Sequence, residues 1–97
     1  MSVLIDQPRW PAHNTHWSHL VSDTSIAELH AFAASQGVGR RAFDLDHYDV
    51  PKRLYADLVA AGAIPVSNRE LVTALRESGL RVSQRDRRSG NGPPSRK

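Results

Sequence analysis

Short apolar runs alternate along this chain with stretches of helical spacing. Val3-Leu4-Ile5 is the first run, β-branched in bias and closed by Asp6, and it predicts a buried strand. From Gln7 to Asp23 neither period is visible. Pro8 and Pro11 interrupt that segment, and Trp10, His13, His16, Trp17 and His19 load it with rings. Connections this long in a small domain are functional or packed on themselves, so it is expected as an ordered loop folded over a sheet edge. Ile26, Leu29, Phe32 and Ala33 then recur at helical spacing. Ser25 with Glu28 fits a capping box and Gly37 suits the C′ position, which predicts a helix over roughly residues 25–36.

Arg41-Ala42-Phe43-Asp44-Leu45 reads as a second strand. Pro51 is suited to the first position of a second helix, with Asp49 near its positive end. Leu54, Tyr55, Leu58 and Val59 supply one apolar face and Gly62 the stop. Ala63-Ile64-Pro65-Val66 is a third run, at an edge or a strand end because of its proline. Ser67 and Glu70 form another capping box, with Leu71, Val72 and Leu75 on the buried face and Gly79 at the end. Leu80-Arg81-Val82 is a fourth candidate strand. Strands alternating with helices predict crossover units. The expected fold class is α/β: a small two- or three-layer domain with a short, mainly parallel sheet and three helices.

That topology concentrates the polar residues. In open parallel sheets ligands bind beyond the carboxyl ends of the strands. Asp6 follows the first strand, Asp44, Asp46, His47, Tyr48 and Asp49 lie at or after the second, and Ser67 and Asn68 follow the third. A hard divalent cation would take Asp6 with Asp44, Asp46 or Asp49. A zinc-like ion would take imidazoles from His13, His16, His19 or His47 with one carboxylate. Asp6, Asp44 and His19 are the chosen metal candidates. His47, His19 and Asp49 are the catalytic candidates, since histidine titrates nearest neutrality and alternate residues of an extended segment share a side. Arg41, Trp17 and Tyr48 are the substrate-binding candidates. The competing reading makes the acidic cluster a turn that caps the following helix. His30, beside the apolar stripe of the first helix, reads as a half-buried structural histidine.

Composition narrows the classes. The chain has 97 residues and no cysteine, which removes disulfides and zinc–thiolate sites and is compatible with a cytoplasmic location. No run approaches a membrane span, and Met1–Asp6 lacks the pattern of a signal peptide. The net charge of +3 is unevenly placed. Residues 1–83, the expected domain, hold eight Lys/Arg and nine Asp/Glu. Residues 84–97 hold five basic residues and one acid, and read as a disordered basic tail that could attract nucleic acid. No Gly-x-Ser-x-Gly, Walker or Gly-x-Gly-x-x-Gly motif is present, and none is a His-Glu-x-x-His.

Val3-Leu4-Ile5-Asp6, Trp17-Ser18-His19-Leu20, Glu28-Leu29-His30-Ala31-Phe32-Ala33, His47-Tyr48-Asp49 and Gly62-Ala63 with Arg69-Glu70-Leu71-Val72 carry a resemblance. Over about residues 3–82 the chain resembles DUF4031, a family of small bacterial and phage proteins of unknown function. The resemblance implies that Asp6, Trp17, His19, His30, His47, Tyr48 and Asp49 belong together, and it assigns no chemistry. The expectation is a small cytoplasmic protein with a polar site for a divalent metal, hydrolysing a phosphate-bearing small molecule whose phosphate meets Arg41. The alternatives are a non-enzymatic binding module built on the aromatic and histidine-rich loop, and nucleic-acid association through the tail.

Overall fold

The computed structural model describes residues 2–82, so the basic tail lies outside the described residues. In chain order the elements are β1 (Val3–Ile5), β2 (Trp10–Ala12), β3 (Thr15–Ser22), α1 (Ile26–Ser35), β4 (Phe43–Asp44), β5 (His47–Pro51), α2 (Tyr55–Ala60), β6 (Ile64–Pro65) and α3 (Asn68–Ser78). They form a six-stranded sheet of order β4-β5-β3-β1-β6, with β2 also paired to β3. The α/β content and the three helices match the sequence reading, but the mainly parallel sheet does not. β3 is antiparallel to β1, β2 and β5, and β4 is antiparallel to β5. Among the described residues only β1 and β6 pair in parallel.

The difference originates in the segment expected to be a loop. Residues 7–23 hold a β-hairpin and the longest strand of the sheet. His13 and Asn14 form its two-residue tip with φ of 50° and 65°, the left-handed pair that a type I′ turn requires. β1 and β2 lie along one side of β3, separated by the bulge around Gln7 and Pro8, where proline has no N–H to give the ladder. The Asp6 N–H reaches the His19 carbonyl on one side of the bulge, and the Arg9 N–H reaches the Trp17 carbonyl on the other. A tight turn at Leu45-Asp46 similarly folds β4 onto β5. Leu45 takes a φ of 63° there.

Side chains alternate across each strand, and the two faces are covered differently. Ile5, Leu20, Tyr48 and Val50 face a core completed by Leu29 and Ala33 of α1 and Leu58 of α2. On the other face Leu4 and Val21 pack against Leu71 and Leu75 of α3. The domain is thus three-layered, with α3 packed on Leu4 of β1 and Val21 of β3. The neighbouring positions on that face, His19 on β3 and His47 and Asp49 on β5, lie beyond this second core.

The helix signals largely hold. Ser25 accepts the Glu28 N–H at 3.0 Å. The Glu28 carboxylate turns away to accept the Ser22 hydroxyl instead of closing the box. Both halves of the Ser67–Glu70 capping box are made. Gly79, at φ 83°, closes α3 as expected. Three expectations need correction. Arg41–Leu45 is not one strand: Arg40–Ala42 is a 3-10 turn, β4 holds only Phe43–Asp44, and Leu45 belongs to the turn that follows. Pro51 ends β5 opposite Trp17 and is followed by a 3-10 turn over Lys52–Leu54, so α2 starts later and Asp49 is a strand residue rather than a cap. Leu80–Val82 forms no strand, and the Val82 N–H donates to the Asp46 carboxylate at 2.7 Å.

Candidate functional site

Three neighbouring strands bring Asp6, His19 and Asp49 into one row. Asp6 follows β1 and faces His19, and His19 pairs with Asp49 across β3 and β5. The His19 backbone N–H and C=O both bond to Asp6, so they point away from β5. His19 and Asp49 are therefore a non-hydrogen-bonded antiparallel pair, the kind whose side chains approach most closely. His47 is two residues from Asp49 and so lies on the same face. His19, His47 and Asp49 each offer a ligand atom within 4.8 Å of the others. The two imidazole rings meet edge to face at 5.1 Å.

Each imidazole is backed by a buried carboxylate. Asp6, 1% exposed, takes the His19 backbone N–H at 2.6 Å, faces Nδ1 of the same residue at 2.8 Å and takes the Asn68 amide at 2.9 Å. Asp46, 2% exposed, faces His47 Nδ1 at 2.7 Å. It also accepts the Val82 N–H, and Arg81 stands 3.9 Å away. Nε2 is thus the ring nitrogen left on each histidine, and that of His47 lies 3.2 Å from Asp49. Burial pushes the Asp6 carboxyl upward, but hydrogen bonds from His19 and Asn68 hold it below its ordinary value. Burial acts likewise on Asp46 and is outweighed by His47, the Val82 N–H and Arg81. Burial disfavours the His47 cation, yet Asp46 and Asp49 together raise its pKa to about 9.

The row opens on two clefts. One, of about 340 Å³, lies between the sheet and α3, with His19, Asp46, His47, Asn68 and Arg81 among its lining residues. The second, of about 580 Å³, lies against the β2–β3 hairpin and is lined by Trp10, His13, Trp17, Arg41, Phe43 and Asp49, among others. His19, Trp10 and Asp44 border both.

The candidates from sequence separate accordingly. His19, His47 and Asp49 come together; Asp44 borders them, and Arg41 and Trp17 line the second cleft. Asp6 stands behind His19, with its oxygens already engaged by His19 and Asn68. Tyr48 does not join them: it points to the opposite face, is 1% exposed and bonds His30 Nδ1 at 2.7 Å through its hydroxyl. Strand alternation separates it from both neighbours. His30 belongs to that core pair, and its pKa is lowered by desolvation and by Arg40. His16 falls on the exposed side of the hairpin. Sequence reasoning missed Trp10 as a wall of both clefts and Asp46 as the support of His47. It also missed Arg81, for which no local pattern gives a signal.

The family model described as "Protein of unknown function (DUF4031)" matches residues 3–78, which span every strand and helix of the site. The chain belongs to the DUF4031 family. Comparison with curated proteins and with solved structures found no match. In this DUF4031 chain, no helix among the described residues is long and apolar enough to cross a membrane.

Proposed function

We propose that this DUF4031 protein binds one divalent metal ion through His19 Nε2, His47 Nε2 and Asp49, and uses it to hydrolyse a phosphate ester. The observation that carries the reading is the pair of buried carboxylates, each engaging Nδ1 of one imidazole, which leaves Nε2 as the ring nitrogen for an ion. Metal-binding histidines almost always have such a partner, which fixes tautomer and ring orientation. Two imidazoles and one carboxylate suit a zinc-like ion and leave a coordination position open for water. Asp6 and Asp46 are then orienting residues, not ligands. The charge balance agrees: Asp6, Asp46 and Asp49 surround the imidazoles, and a dication would compensate them as the His47 proton does without it.

The ion would lower the pKa of a water and polarise the phosphate. The water oxygen bonds to phosphorus as the ester P–O bond breaks. Asp44, at the rim of both clefts, is assigned to take one water proton and return it to the departing alcohol. Arg41 pairs with the phosphate oxygens. Isothermal titration of the full chain with Zn²⁺ and Mn²⁺, beside elemental analysis of the purified protein, tests the ion. Release of p-nitrophenol from its phosphate tests the chemistry. His19→Ala and His47→Ala should each abolish both, and tight ion binding by the double variant refutes the assignment. The reading as a pure binding module is favoured by one observation, the 47% exposed Trp10 on the hairpin. It predicts ligand capture without turnover.

A further inference from the structure

We infer that the hairpin cleft is a mononucleotide site, in which β2 and β3 hold a planar heteroaromatic base and Arg41 with the proposed ion holds its phosphate. The inference rests on the ion site proposed above for the position of the phosphate, and on separate observations for the base. Trp10 and Trp17 face each other across β2 and β3 as a register pair. The Trp17 indole N–H donates to the Ala12 carbonyl at 2.9 Å, which fixes that ring against the hairpin. His13 meets Trp17 edge-on at 6.4 Å, and Trp10 meets His19 edge-on at 5.3 Å. One ring pair, His13 with Trp17, thus stands at the hairpin tip, and a second run, Trp10 with His19 and His47, leads into the ion cluster. Trp10 is nonetheless 47% exposed, an unusual state for the largest apolar side chain in so small a domain.

Arg41, on the 3-10 turn Arg40–Ala42, lines the same cleft as the rings and Asp49. One end therefore presents flat apolar surface, while the other presents a guanidinium and the cluster at His19 and Asp49. A ligand that matches it is flat and unsaturated at one end and doubly anionic at the other. The cleft's volume of about 580 Å³ is within the range of small-molecule sites. A sugar phosphate matches the anionic end and leaves the rings bare, whereas a free base matches only the rings. A nucleoside monophosphate answers both ends.

The test is calorimetry and tryptophan fluorescence on the full chain with AMP, UMP, adenosine, ribose 5-phosphate and inorganic phosphate, each with and without Zn²⁺. Both monophosphates should bind at least tenfold tighter than ribose 5-phosphate and should quench tryptophan emission. Stacking on an aromatic side chain is worth about 1–3 kcal/mol per base, roughly 5- to 150-fold. Trp10→Ala should therefore weaken AMP and adenosine by at least fivefold and leave inorganic phosphate unchanged. Arg41→Gln should weaken AMP and phosphate but not adenosine. Trp10 is exposed, so its variant keeps the fold; Trp10→Phe, which preserves a ring, should restore most of the affinity. Equal affinity for ribose 5-phosphate and AMP overturns the inference even if Zn²⁺ binds. If Zn²⁺ does not bind, but AMP still outcompetes ribose 5-phosphate and is lost in Trp10→Ala, the ion reading fails and the nucleotide cleft stands.

Discussion

Divalent ion binding to this protein should be proton-coupled. In the ion-free protein His47 is a cation bridging Asp46 and Asp49, with its pKa raised to about 9. Its Nε2 cannot coordinate while it carries a proton, so the ion must displace one. At pH 7 only about one molecule in a hundred has His47 already neutral, by the tenfold-per-unit rule of a single titration. The apparent affinity there should lie about 100-fold below its limit above pH 9, a handicap of about 3 kcal/mol. Between pH 6 and pH 8 the His47 contribution alone should raise the association constant about 100-fold, since the whole interval lies below the pKa. The assay is Zn²⁺ titration calorimetry at pH 6, 7 and 8, each in two buffers of different ionisation heat, so that protons released per ion are counted. His47 should supply close to one proton at pH 7. A constant affinity across that interval, with no proton released, would refute both the coordination by His47 Nε2 and the charge argument behind it.

Four further outcomes follow from the same geometry. Asp6→Asn should weaken ion binding by roughly 10- to 100-fold, as loss of a ligand-orienting partner typically does, with the circular dichroism unchanged; an unaltered affinity would show that Asp6 does not orient His19. Without the ion, the raised His47 pKa stabilises the fold fully below about pH 6.5, and that contribution is lost as pH rises through about 9; urea melts at pH 6 and pH 9 should differ in this direction, and Asp46→Asn should shrink the difference. Ser18 has a buried hydroxyl without a partner among the described residues, so Ser18→Ala should raise the unfolding free energy by about 1 kcal/mol, and a loss of that size would mean the hydroxyl is bonded. Leu45 sits at φ 63°; relief of about 1–2 kcal/mol of left-handed strain outweighs the backbone entropy of glycine, about 0.5–1 kcal/mol, so thermal melting of Leu45→Gly should occur a few degrees higher.

The helices were legible because their signals are local. Ser25, Ser67, Gly37 and Gly79 act within a turn of the residues they cap, and the apolar spacing of α1 and α3 follows from which face is buried. The antiparallel sheet was hidden for a physical reason. A half-buried strand announces itself by alternation between an apolar and a polar face. On β3 the buried face includes Ser18 as well as Leu20, and the other face carries Trp17 and Val21 around His19. Rings and aliphatics therefore occur on both sides, and no period of two survives. β5 does alternate, as His47-Tyr48-Asp49-Val50, but it looked like an acidic turn beside Pro51. The hairpin tip lacked the usual signal because His13-Asn14 contains no glycine.

Of the residues that parallel strands were expected to gather, His47 and Asp49 stand together with His19, while Asp6 lies behind His19 and Asp44 at the rim of the clefts. His47 and Asp49 meet His19, and Asp6 backs it, because β1, β3 and β5 are neighbours, a fact independent of strand direction; Asp44 comes from β4. Direction decides something else: which atoms face the cleft. Parallel strands would have presented side chains from loops beyond their ends. Antiparallel pairing presents them from within the sheet, where pairing with neighbouring strands fixes the Cα positions and the rings border the clefts. His19 gains a rigid platform, a carboxylate behind it and an acidic partner beside it from three adjacent strands. A loop could supply the same side chains, but it would have to lose more conformational entropy to hold them. The placement of α3 is consistent with this arrangement. Its N-terminal Asn68 bonds the Asp6 carboxylate, its body covers Leu4 and Val21, and the same helix forms one wall of the cleft that His19 and His47 border.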